Sequence, residues 1–410
     1  MMDFFRLREK WILIGALGLL IVLIVWLVAD TLAVVQYNAA VDEGYYLKYA
    51  VIVGKDGLSS FPALFRDYLD NSQHQLFPSP VRVGFISIAA GWCRLFGPSF
   101  LALSWLSLCA HLCLVVTTFV FARRHFDALW AFLLAALCGF SPILLALSRR
   151  ALSDSMATLT MALAIWLFLD ILVRNSRWLG KVAFAAAFGL AVLVKESSCL
   201  LVVPFIVSWL IARNARRSLL SVRNVIVLFS ASLAGCLLIV MLAAGGVSPL
   251  VQLVTIILSS PATNNYVTAF CSGPLYRYIL DFVTMSPWVM ISAIVFVGVL
   301  VTRWRGGQLP LVHIYFLVMF AALLLCFAPF PRNFRYLAVL EIPVRLFALA
   351  MLFELGSWVT AQRTTILVGL TVAIICWMDY CTFERLFVVE GIYDPVSFKL
   401  LCAQGIIPCR

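Results

Sequence analysis

Residues 11–28, "WILIGALGLLIVLIVWLV", form an uninterrupted apolar run that decides the class of fold. A secretory signal peptide has an apolar core of only about 7–15 residues, followed by small residues at a cleavage site. Because this run is longer, we expect it to remain in the protein as a first membrane-spanning helix. Similar runs recur along the 410-residue chain, which is 64% hydrophobic and 12% charged. Soluble domains have roughly 45–50% apolar and about 25% charged residues, so the sequence predicts an all-α polytopic membrane protein.

The apolar runs predict about eleven transmembrane helices. They lie near residues 11–36, 99–122, 127–147, 155–173, 182–195, 197–212, 224–243, 287–302, 309–328, 337–358 and 364–379. Residues 81–96 are also apolar, but this segment is short for a membrane crossing and contains Arg82 and Arg94. We therefore expect it to form a juxtamembrane helix at the outer interface, within a long first outer loop.

The basic residues, which give the chain a net charge of +11, are concentrated in short loops between the predicted spans. These loops are "ARRHF" (122–126), "RNSRWLGK" (174–181), "RNARRSLLSVRN" (213–224) and "TRWRGG" (302–307). Short loops rich in Lys and Arg stay in the cytoplasm during insertion. We therefore expect a multi-pass protein of a plasma or inner membrane, with the N-terminus inside and the C-terminus outside. This distribution explains the positive charge without a nucleic-acid partner, for which the chain carries no motif.

Two transmembrane modules are predicted, without a separate soluble domain. Residues 1–243 form the first module, with its outer loop at 37–98. Residues 244–410 form the second module, with an outer loop at 244–286 and an outer tail at 380–410. Pro and Gly residues punctuate both loops and the tail, as is typical of irregular connections.

Four cysteines fall in these predicted outer segments: Cys271, Cys381, Cys402 and Cys409. An even number of thiols in an oxidising compartment permits disulfide bonds. A bridge from Cys381 to either Cys402 or Cys409 would hold the tail in place, and the spacing leaves the choice of partner open.

Charged side chains collect at the predicted outer ends of the spans. The carboxylates are Asp42, Glu43, Asp154 and Glu196, and the cations are Arg149, Arg150, Lys195, Arg332 and Arg335. Carboxylates can remove a proton from a hydroxyl group, whereas arginines can bind a phosphate through two hydrogen bonds. If short loops bring both kinds into one pocket, the pattern indicates a membrane enzyme that handles a lipid phosphate carrying an activated group.

Each of these residues also has a simpler interpretation. An acidic pair after a span can be merely solvated, loop arginines can reach lipid phosphates, and His74 can be an ordinary polar loop residue. Tyr45, Tyr46 and Tyr49 suit the aromatic belt of a membrane interface. Glu341 and Arg345, spaced i,i+4 within a predicted span, indicate either a functional site or a simple mutual ion pair.

Six stretches in order resemble the polytopic glycosyltransferases of the GT-C fold, in the branch of protein O-mannosyltransferases and bacterial aminoarabinose transferases. They are the pair Asp42-Glu43 after the first span, "HQLFPSP" (74–80), "FARRHF" (121–126), "SPILLALSRRALSDSMATL" (141–159), "LAVLVKESSCLLVVP" (190–204) and "RNFRYLAVLEIP" (332–343). The resemblance covers about the first 210 residues best. One departure concerns His74, because the family usually has two adjacent prolines soon after the His, whereas three residues separate His74 from Pro78.

The resemblance implies an enzyme that takes a sugar from a polyprenyl- or dolichyl-phosphate donor in the bilayer. Transfer to an acceptor hydroxyl would occur on the outer face with inversion, and no cofactor is required, although the carboxylates can also hold a divalent metal ion. The implied catalytic carboxylates are Asp42, Glu43 and Asp154; the implied phosphate-binding residues are Arg149, Arg150, Lys195, Arg332 and Arg335; further pocket residues are Tyr45, His74, Glu196 and Tyr336. The acceptor can be a glycan, a lipid or a protein, and the sugar is equally open.

A transporter or lipid flippase is the main alternative. Such proteins favour broken spans and ionisable groups near the middle of the bilayer, whereas most charged residues here lie at predicted span ends. A non-catalytic membrane scaffold and a ligase that moves whole glycans from a lipid pyrophosphate are further alternatives. The ligase would not need an acidic pair directly after the first span.

Overall fold

The computed structural model describes residues 2–35, 37, 39–174, 178–215, 220–263, 265–304, 310–357 and 360–408. Within these ranges the chain is helical and contains no β-strand. The α-helices are α1 (Met2–Ala33), α2 (Asp42–Asp56), α3 (Phe61–Asp70), α4 (Val83–Phe96), α5 (Phe100–Ala122), α6 (Ala128–Gly139), α7 (Pro142–Ser148), α8 (Asp154–Arg174), α9 (Trp178–Val194), α10 (Val202–Asn214), α11 (Val222–Ala244), α12 (Val247–Thr263), α13 (Asn265–Phe270), α14 (Tyr276–Met285), α15 (Pro287–Trp304), α16 (Leu311–Cys326), α17 (Glu341–Gly356), α18 (Ala361–Phe383) and α19 (Ser397–Ala403).

Short turns of other helix types connect or extend several of these helices. They are the 3₁₀ segments Leu58–Ser60, His74–Leu76, Glu196–Leu201 and Phe334–Leu340, and the π-helical segment Glu384–Val389. The 3₁₀ segments Glu196–Leu201 and Phe334–Leu340 directly precede α10 and α17 and lengthen these two helices at their N-terminal ends.

Seven helices in the described ranges are long and apolar enough to cross a membrane, and α6 with α7, bent by 61° at the break between them, would be an eighth if the pair is one span. The chain is therefore a multi-pass membrane protein. Three further predicted spans coincide with α9, α15 and α16, which are apolar but shorter than the other spans. Each predicted span thus contains a helix, but the predicted count of eleven crossings is not confirmed, because these three helices are short for a full crossing.

The centre of the bundle is formed by α8 and by α17 with its preceding 3₁₀ turn. In the most apolar 18-residue stretch of each helix, 72% of the residues are buried for α8 and 78% for α17 with its turn, compared with 22% for α1. Asp154 is the first residue of α8 and Asp42 is the first residue of α2. Both carboxylates therefore lie at helix N-termini, where the helix dipole favours negative charge.

The first predicted outer loop folds into α2, α3 and α4. Their apolar faces share a small core that includes Tyr49, Phe61, Phe65 and Ile86. The 14 residues of α4 extend about 21 Å at 1.5 Å per residue, which is less than the bilayer core of about 30 Å. A short helix at this position agrees with the predicted juxtamembrane segment at 81–96.

A cluster of charged side chains lies inside the bundle around Arg345 of α17. Its guanidinium lies 2.7 Å from Glu341 on the same helix and 2.7 Å from Asp379 on α18. It also donates a hydrogen bond of 3.1 Å to Ser286, just before α15. Arg345 is completely buried. Glu341 and Arg345 therefore form the mutual ion pair considered from the sequence, and with Asp379 and Ser286 this pair joins three parts of the bundle.

The cysteine prediction is partly wrong. Cys402 is disulfide-bonded, but Cys381 and Cys271 carry free thiols. The bridge expected from Cys381 is therefore not formed. Cys409 lies outside the described residues.

Candidate active site

A cavity of about 500 Å³ opens at one end of the bundle. Its walls come from α2, the start of α8, the junction between α9 and α10, the 3₁₀ turn before α17 and the segment after α18. The charged side chains that line it are Asp42, Arg82, Asp154, Lys195, Glu196, Arg335 and Asp394. The volume lies within the roughly 300–1,000 Å³ typical of small-molecule sites.

Asp42 and Arg335 form the first ion pair of the cavity. The Asp42 Oδ2 and Arg335 Nη2 atoms are 2.9 Å apart, and the side chains are 21% and 12% exposed. A second carboxylate, Asp394, lies 3.7 Å from Arg335 Nη1. Asn333 donates a hydrogen bond of 3.0 Å to Asp394 and so fixes it beside the guanidinium. Arg335 thus lies between two carboxylates.

Asp154 and Lys195 form the second ion pair. Lys195 Nζ is 2.5 Å from Asp154 Oδ1, and each side chain is 6% exposed. The ammonium also lies 4.7 Å from the centre of the Tyr336 ring. Burial lowers the pKa of Lys195, and the Asp154 carboxylate opposes this effect without cancelling it. A further anion in the cavity would therefore favour the charged ammonium.

Arg82 and Glu196 form the third ion pair, which is bidentate. Arg82 donates to the two Glu196 oxygens over 2.9 and 2.8 Å, and it also donates to the Tyr46 hydroxyl. That hydroxyl lies 3.0 Å from Ser153 Oγ, just before α8. Burial opposes the charge of Arg82, but Glu196, Tyr46 and Asp154 together outweigh burial and raise the pKa of this guanidinium. Every charged side chain that lines the cavity thus has an opposite charge beside it.

Within the described residues, no group of three or more His, Cys, Asp or Glu side chains is arranged to hold a metal ion. The acids of the cavity are instead directed at Arg and Lys side chains. These cations can neutralise a phosphate in the way that a divalent ion would.

Residues 83–244 match the family model described as dolichyl-phosphate-mannose-protein mannosyltransferase. The structure is similar to the apo oligosaccharyltransferase of Archaeoglobus fulgidus, with a TM-score of 0.62 and 12% identity over 92% of this chain and 56% of that chain. The chain has the GT-C fold. This is the fold implied by the resemblance of the six stretches between Asp42 and Pro343.

Two ligand-bound structures are also similar to this GT-C chain. The archaeal oligosaccharyltransferase AglB from Archaeoglobus fulgidus, in complex with an inhibitory peptide and a dolichol-phosphate, has a TM-score of 0.60 and 13% identity over 92% of this chain and 56% of that chain. ArnT from Cupriavidus metallidurans, bound to undecaprenyl phosphate, has a TM-score of 0.51 and 14% identity over 96% of this chain and 75% of that chain. This GT-C chain thus spans little more than half the length of the archaeal protein. Among curated proteins, none matches the chain in sequence.

Six of the site residues predicted from the sequence line the cavity of this GT-C chain. They are Asp42, Asp154, Lys195, Glu196, Arg335 and Tyr336. The structure therefore brings together carboxylates and cations from separate connections at one end of the bundle. The remaining six predicted residues, described next, lie outside the cavity lining.

Glu43 and Arg150 form a structural pair instead. Glu43 is completely buried and lies 2.9 Å from Arg150 Nη2. It also accepts a hydrogen bond of 3.2 Å from the Ala151 backbone N–H. Because successive residues of α2 point in different directions, Asp42 reaches the cavity whereas Glu43 anchors the loop before α8.

The arginines at 149 and 332 hold backbone carbonyl groups. Arg149 donates to the Phe387 and Thr31 oxygens over 2.7 and 2.8 Å. Arg332 donates to the Phe327 and Phe330 oxygens over 3.0 and 2.6 Å. Both side chains are buried and neither lines the cavity, so the structure shows them holding these carbonyl groups and adds no support to their prediction as phosphate ligands.

His74 and Tyr45 pack beside the cavity without lining it. His74 Nδ1 lies 3.2 Å from Asp67 Oδ2, and the Tyr45 ring stacks on Phe77 with 4.5 Å between centroids. The neighbouring Tyr46 and Tyr49 are 1% and 2% exposed. The interpretation of these two tyrosines as an aromatic belt is therefore wrong, because they belong to the core under α2.

Four further residues line the cavity but were not predicted from the sequence: Arg82, Asn333, Tyr393 and Asp394. Arg82 could have been found, since a charged residue beside an otherwise apolar segment indicates a functional or structural role. No sequence pattern indicates Tyr393 or Asp394, because they reach the cavity only through the fold of the segment after α18.

Proposed function

We propose that this protein is a membrane glycosyltransferase. It moves a sugar from a polyprenyl- or dolichyl-phosphate donor to an acceptor hydroxyl on the non-cytoplasmic face, with inversion. The match of residues 83–244 to a mannosyltransferase family and the GT-C fold support this proposal. The observation that carries it is the meeting of Asp42 and Asp154 with Arg82, Lys195 and Arg335 in one cavity.

Arg335 and Lys195 are the best candidates for binding the donor phosphate. Both lie against the Tyr336 ring, at 4.7 Å for the Lys195 ammonium and 5.6 Å for the Arg335 guanidinium. The buried Nε and Nη1 groups of Arg335 have no hydrogen-bond partner within the described residues. A phosphate oxygen would satisfy either donor, since charge-assisted hydrogen bonds from guanidinium groups to phosphates are strong.

Asp42 is the proposed base. It is the most exposed of the acids that pair with Arg335, and a phosphate on Arg335 would weaken its ion pair. Its carboxylate then accepts the proton of the acceptor hydroxyl, whose oxygen forms a bond to the anomeric carbon. The bond from that carbon to the phosphate oxygen breaks, and the electron pair leaves with the lipid phosphate. Attack opposite the leaving group inverts the configuration at the anomeric carbon.

Cations support the departure of the phosphate without a cofactor. Charge that grows on the phosphate oxygens is stabilised by groups already fixed in place, here Arg335 and Lys195. Chelation with EDTA should therefore leave turnover unchanged. A requirement for added divalent metal would contradict this part of the proposal.

The basic loops support the outer location of the cavity. Asp154 begins α8 and Lys195 precedes the turn that leads into α10, whereas the basic residues Arg174 and Arg213 lie in the last turns of these two helices. Because such loops stay in the cytoplasm, the cavity would face outwards from a plasma or inner membrane. A cysteine introduced at residue 40 should react with an impermeant thiol reagent in intact cells, whereas one at residue 124 should not.

Two of the similar structures support a lipid-linked donor, since they are complexes with dolichol-phosphate and with undecaprenyl phosphate. The direct test gives purified protein a radiolabelled polyprenyl-phosphate sugar with a panel of glycan, lipid and peptide acceptors. We expect transfer of label and an inverted anomeric configuration in the product. Absence of both donor binding and transfer would overturn the proposal.

A flippase or transporter remains the competing function. The bent span formed by α6 and α7 is the feature that favours it. Against it, the intramembrane charges of Glu341, Arg345 and Asp379 are at most 3% exposed and pair with one another. Translocation of labelled lipid across proteoliposomes, without sugar transfer, would favour this alternative.

A further inference from the structure

The segment after α18 adds a wall to the cavity with its own chemistry. Tyr393 and Asp394 line this wall, and Tyr266 of α13 lies beside them. We propose that Tyr393 and Asp394 form a subsite for the ring hydroxyl groups of a sugar, next to Asp42. This inference rests on the proposed function and adds to it a recognition site for the carbohydrate itself, separate from the phosphate.

The Tyr393 hydroxyl is the first observation behind the proposal. It is buried and has no hydrogen-bond partner within the described residues. A buried hydroxyl without a partner costs stability, typically about 1–3 kcal/mol, and a ligand hydroxyl group in the cavity would supply the missing partner. Burial and then the Asp42 carboxylate raise the pKa of Tyr393, so the group remains a hydroxyl that can both donate and accept.

Asp394 is the second observation. Its Oδ1 atom is fixed by Asn333 at 3.0 Å and lies 3.7 Å from Arg335 Nη1, which orients the carboxylate before any ligand binds. Tyr266 lies close to Asp394. Burial is the main cause that raises the pKa of the Tyr266 hydroxyl, and the Asp394 carboxylate raises it further. A fixed carboxylate accepts hydrogen bonds from neutral hydroxyl groups, and pyranose rings offer such groups in pairs.

The distribution of charge separates this wall from the phosphate side. Arg82 and Lys195 belong to the wall built by the first half of the chain. Arg335 lies between the two walls, beside Asp42 on one side and Asp394 on the other. Among its described lining residues, the segment after α18 contributes a phenol and a carboxylate but no cation. Two cations lie against this wall, since Arg335 Nη1 is 3.7 Å from Asp394 and the Arg150 guanidinium is 4.5 Å from the centre of the Tyr393 ring. Both are already paired with carboxylates, so the groups that the wall offers to a ligand are a hydroxyl and a carboxylate, which suit a neutral ring with several hydroxyl groups. The cavity of about 500 Å³ has room for such a ring beside a phosphate.

Tyr393→Phe tests the subsite because it removes only the hydroxyl group. The matched control is Tyr276→Phe, since Tyr276 lies on α14 and is 68% exposed. Two probes are compared on wild type and both variants: polyprenyl phosphate without sugar, and the same lipid phosphate carrying a hexose. The Michaelis constant for the acceptor is measured in parallel.

We expect Tyr393→Phe to keep or raise the unfolding temperature and to bind the sugar-free lipid as the wild type does. We also expect a change of roughly five- to tenfold, either as a lower affinity for the sugar-bearing lipid or as a higher Michaelis constant for the acceptor. A lower affinity for the sugar-bearing lipid assigns the subsite to the donor sugar, and a higher Michaelis constant assigns it to a carbohydrate acceptor. Asp394→Asn should shift the same quantity, and Asp394→Glu should restore part of it.

Equal weakening of both lipid probes by Tyr393→Phe would overturn the subsite, as would wild-type values for donor affinity and acceptor constant together. Failure of the proposed function has a different signature. In that case the wild-type protein itself would bind neither lipid probe and transfer no sugar.

Discussion

The cavity and the bundle interior both contain arginine paired with carboxylates, and yet they differ in access. Arg335 lies 2.9 Å from Asp42, and Arg345 lies 2.7 Å from Glu341. The Arg335 side chain is 12% exposed beside a cavity, whereas the Arg345 side chain is completely buried. The same chemical pair can therefore bind a substrate in one place and hold helices together in the other, and access decides between these roles.

This comparison predicts opposite outcomes for two matched substitutions. Arg345→Met leaves Glu341 and Asp379 without their cation inside the bundle, and breaking such a buried pair costs about 3–5 kcal/mol. We expect little folded protein by size-exclusion chromatography, and a lowered unfolding temperature in what remains. Arg335→Met should fold and lose donor binding. Wild-type stability of Arg345→Met would contradict the distinction.

Asp42→Asn should lower turnover at least about tenfold, since a positioned general base contributes roughly 10²–10⁴-fold. The unfolding temperature should stay near that of the wild type because the side chain is partly exposed. Asp56→Asn, at the exposed opposite end of α2, serves as the control and should transfer sugar normally. Wild-type turnover in Asp42→Asn would remove Asp42 from the proposed role.

Glu43→Gln, one residue further along α2, should affect stability more than catalysis. Glu43 is completely buried and holds Arg150 and the Ala151 backbone, so losing its charge should cost about 1–3 kcal/mol. Thermal unfolding and turnover are measured together with Asp42→Asn. A variant that is fully stable but inactive would mean that Glu43 takes part in the reaction.

Asp281 on α14 extends the comparison to a buried acid whose oxygens have no hydrogen-bond partner within the described residues. Burial raises its pKa to about 7, and nearby Ser397 and Arg277 offset only part of the effect. The folded state therefore binds more protons than the unfolded state between about pH 4 and 7, and stability falls as the pH rises through that window. Asp281→Asn should unfold at a higher temperature than the wild type near pH 8, with a smaller difference near pH 5. An unchanged difference across this range would contradict the assignment.

Cys271 offers a probe of whether a ligand occupies the cavity. Its free thiol lines the cavity, and burial together with the Asp394 carboxylate raises its pKa to about 11. Because the thiolate is the reactive form, a maleimide should label the exposed Cys381 faster at neutral pH. Polyprenyl phosphate should slow labelling of Cys271 but not of Cys381, as measured by mass spectrometry of peptides. Equal protection of both thiols would argue against a ligand in this cavity.

The helices and part of the cavity could be predicted from the sequence because they depend on local pattern. Continuous apolar runs located the helical spans, and charged residues directly at span ends pointed to Asp42, Asp154 and Lys195. The number of full membrane crossings was harder to predict from the sequence, since α9 and α16 are apolar but short. Composition alone does not settle how deeply such helices enter the bilayer.

The directions of individual side chains depend on packing and could not be predicted. Arg149 and Arg150 are adjacent in the sequence, yet one holds backbone carbonyl groups and the other pairs with Glu43. The pair between Arg335 and Asp42 joins residues 293 positions apart. Asp394 reaches the same guanidinium from the tail, where no local motif indicates its role.

The Asp42–Arg335–Asp394 arrangement also has a consequence for biogenesis. Asp42 emerges from the ribosome before any span from α5 to α18 has been synthesised, and Asp394 emerges after all of them. A nascent chain held at the translocon therefore contains the first acid but not the groups that surround it. The complete arrangement forms only when α18 has been released into the bilayer and the residues that follow it have folded back.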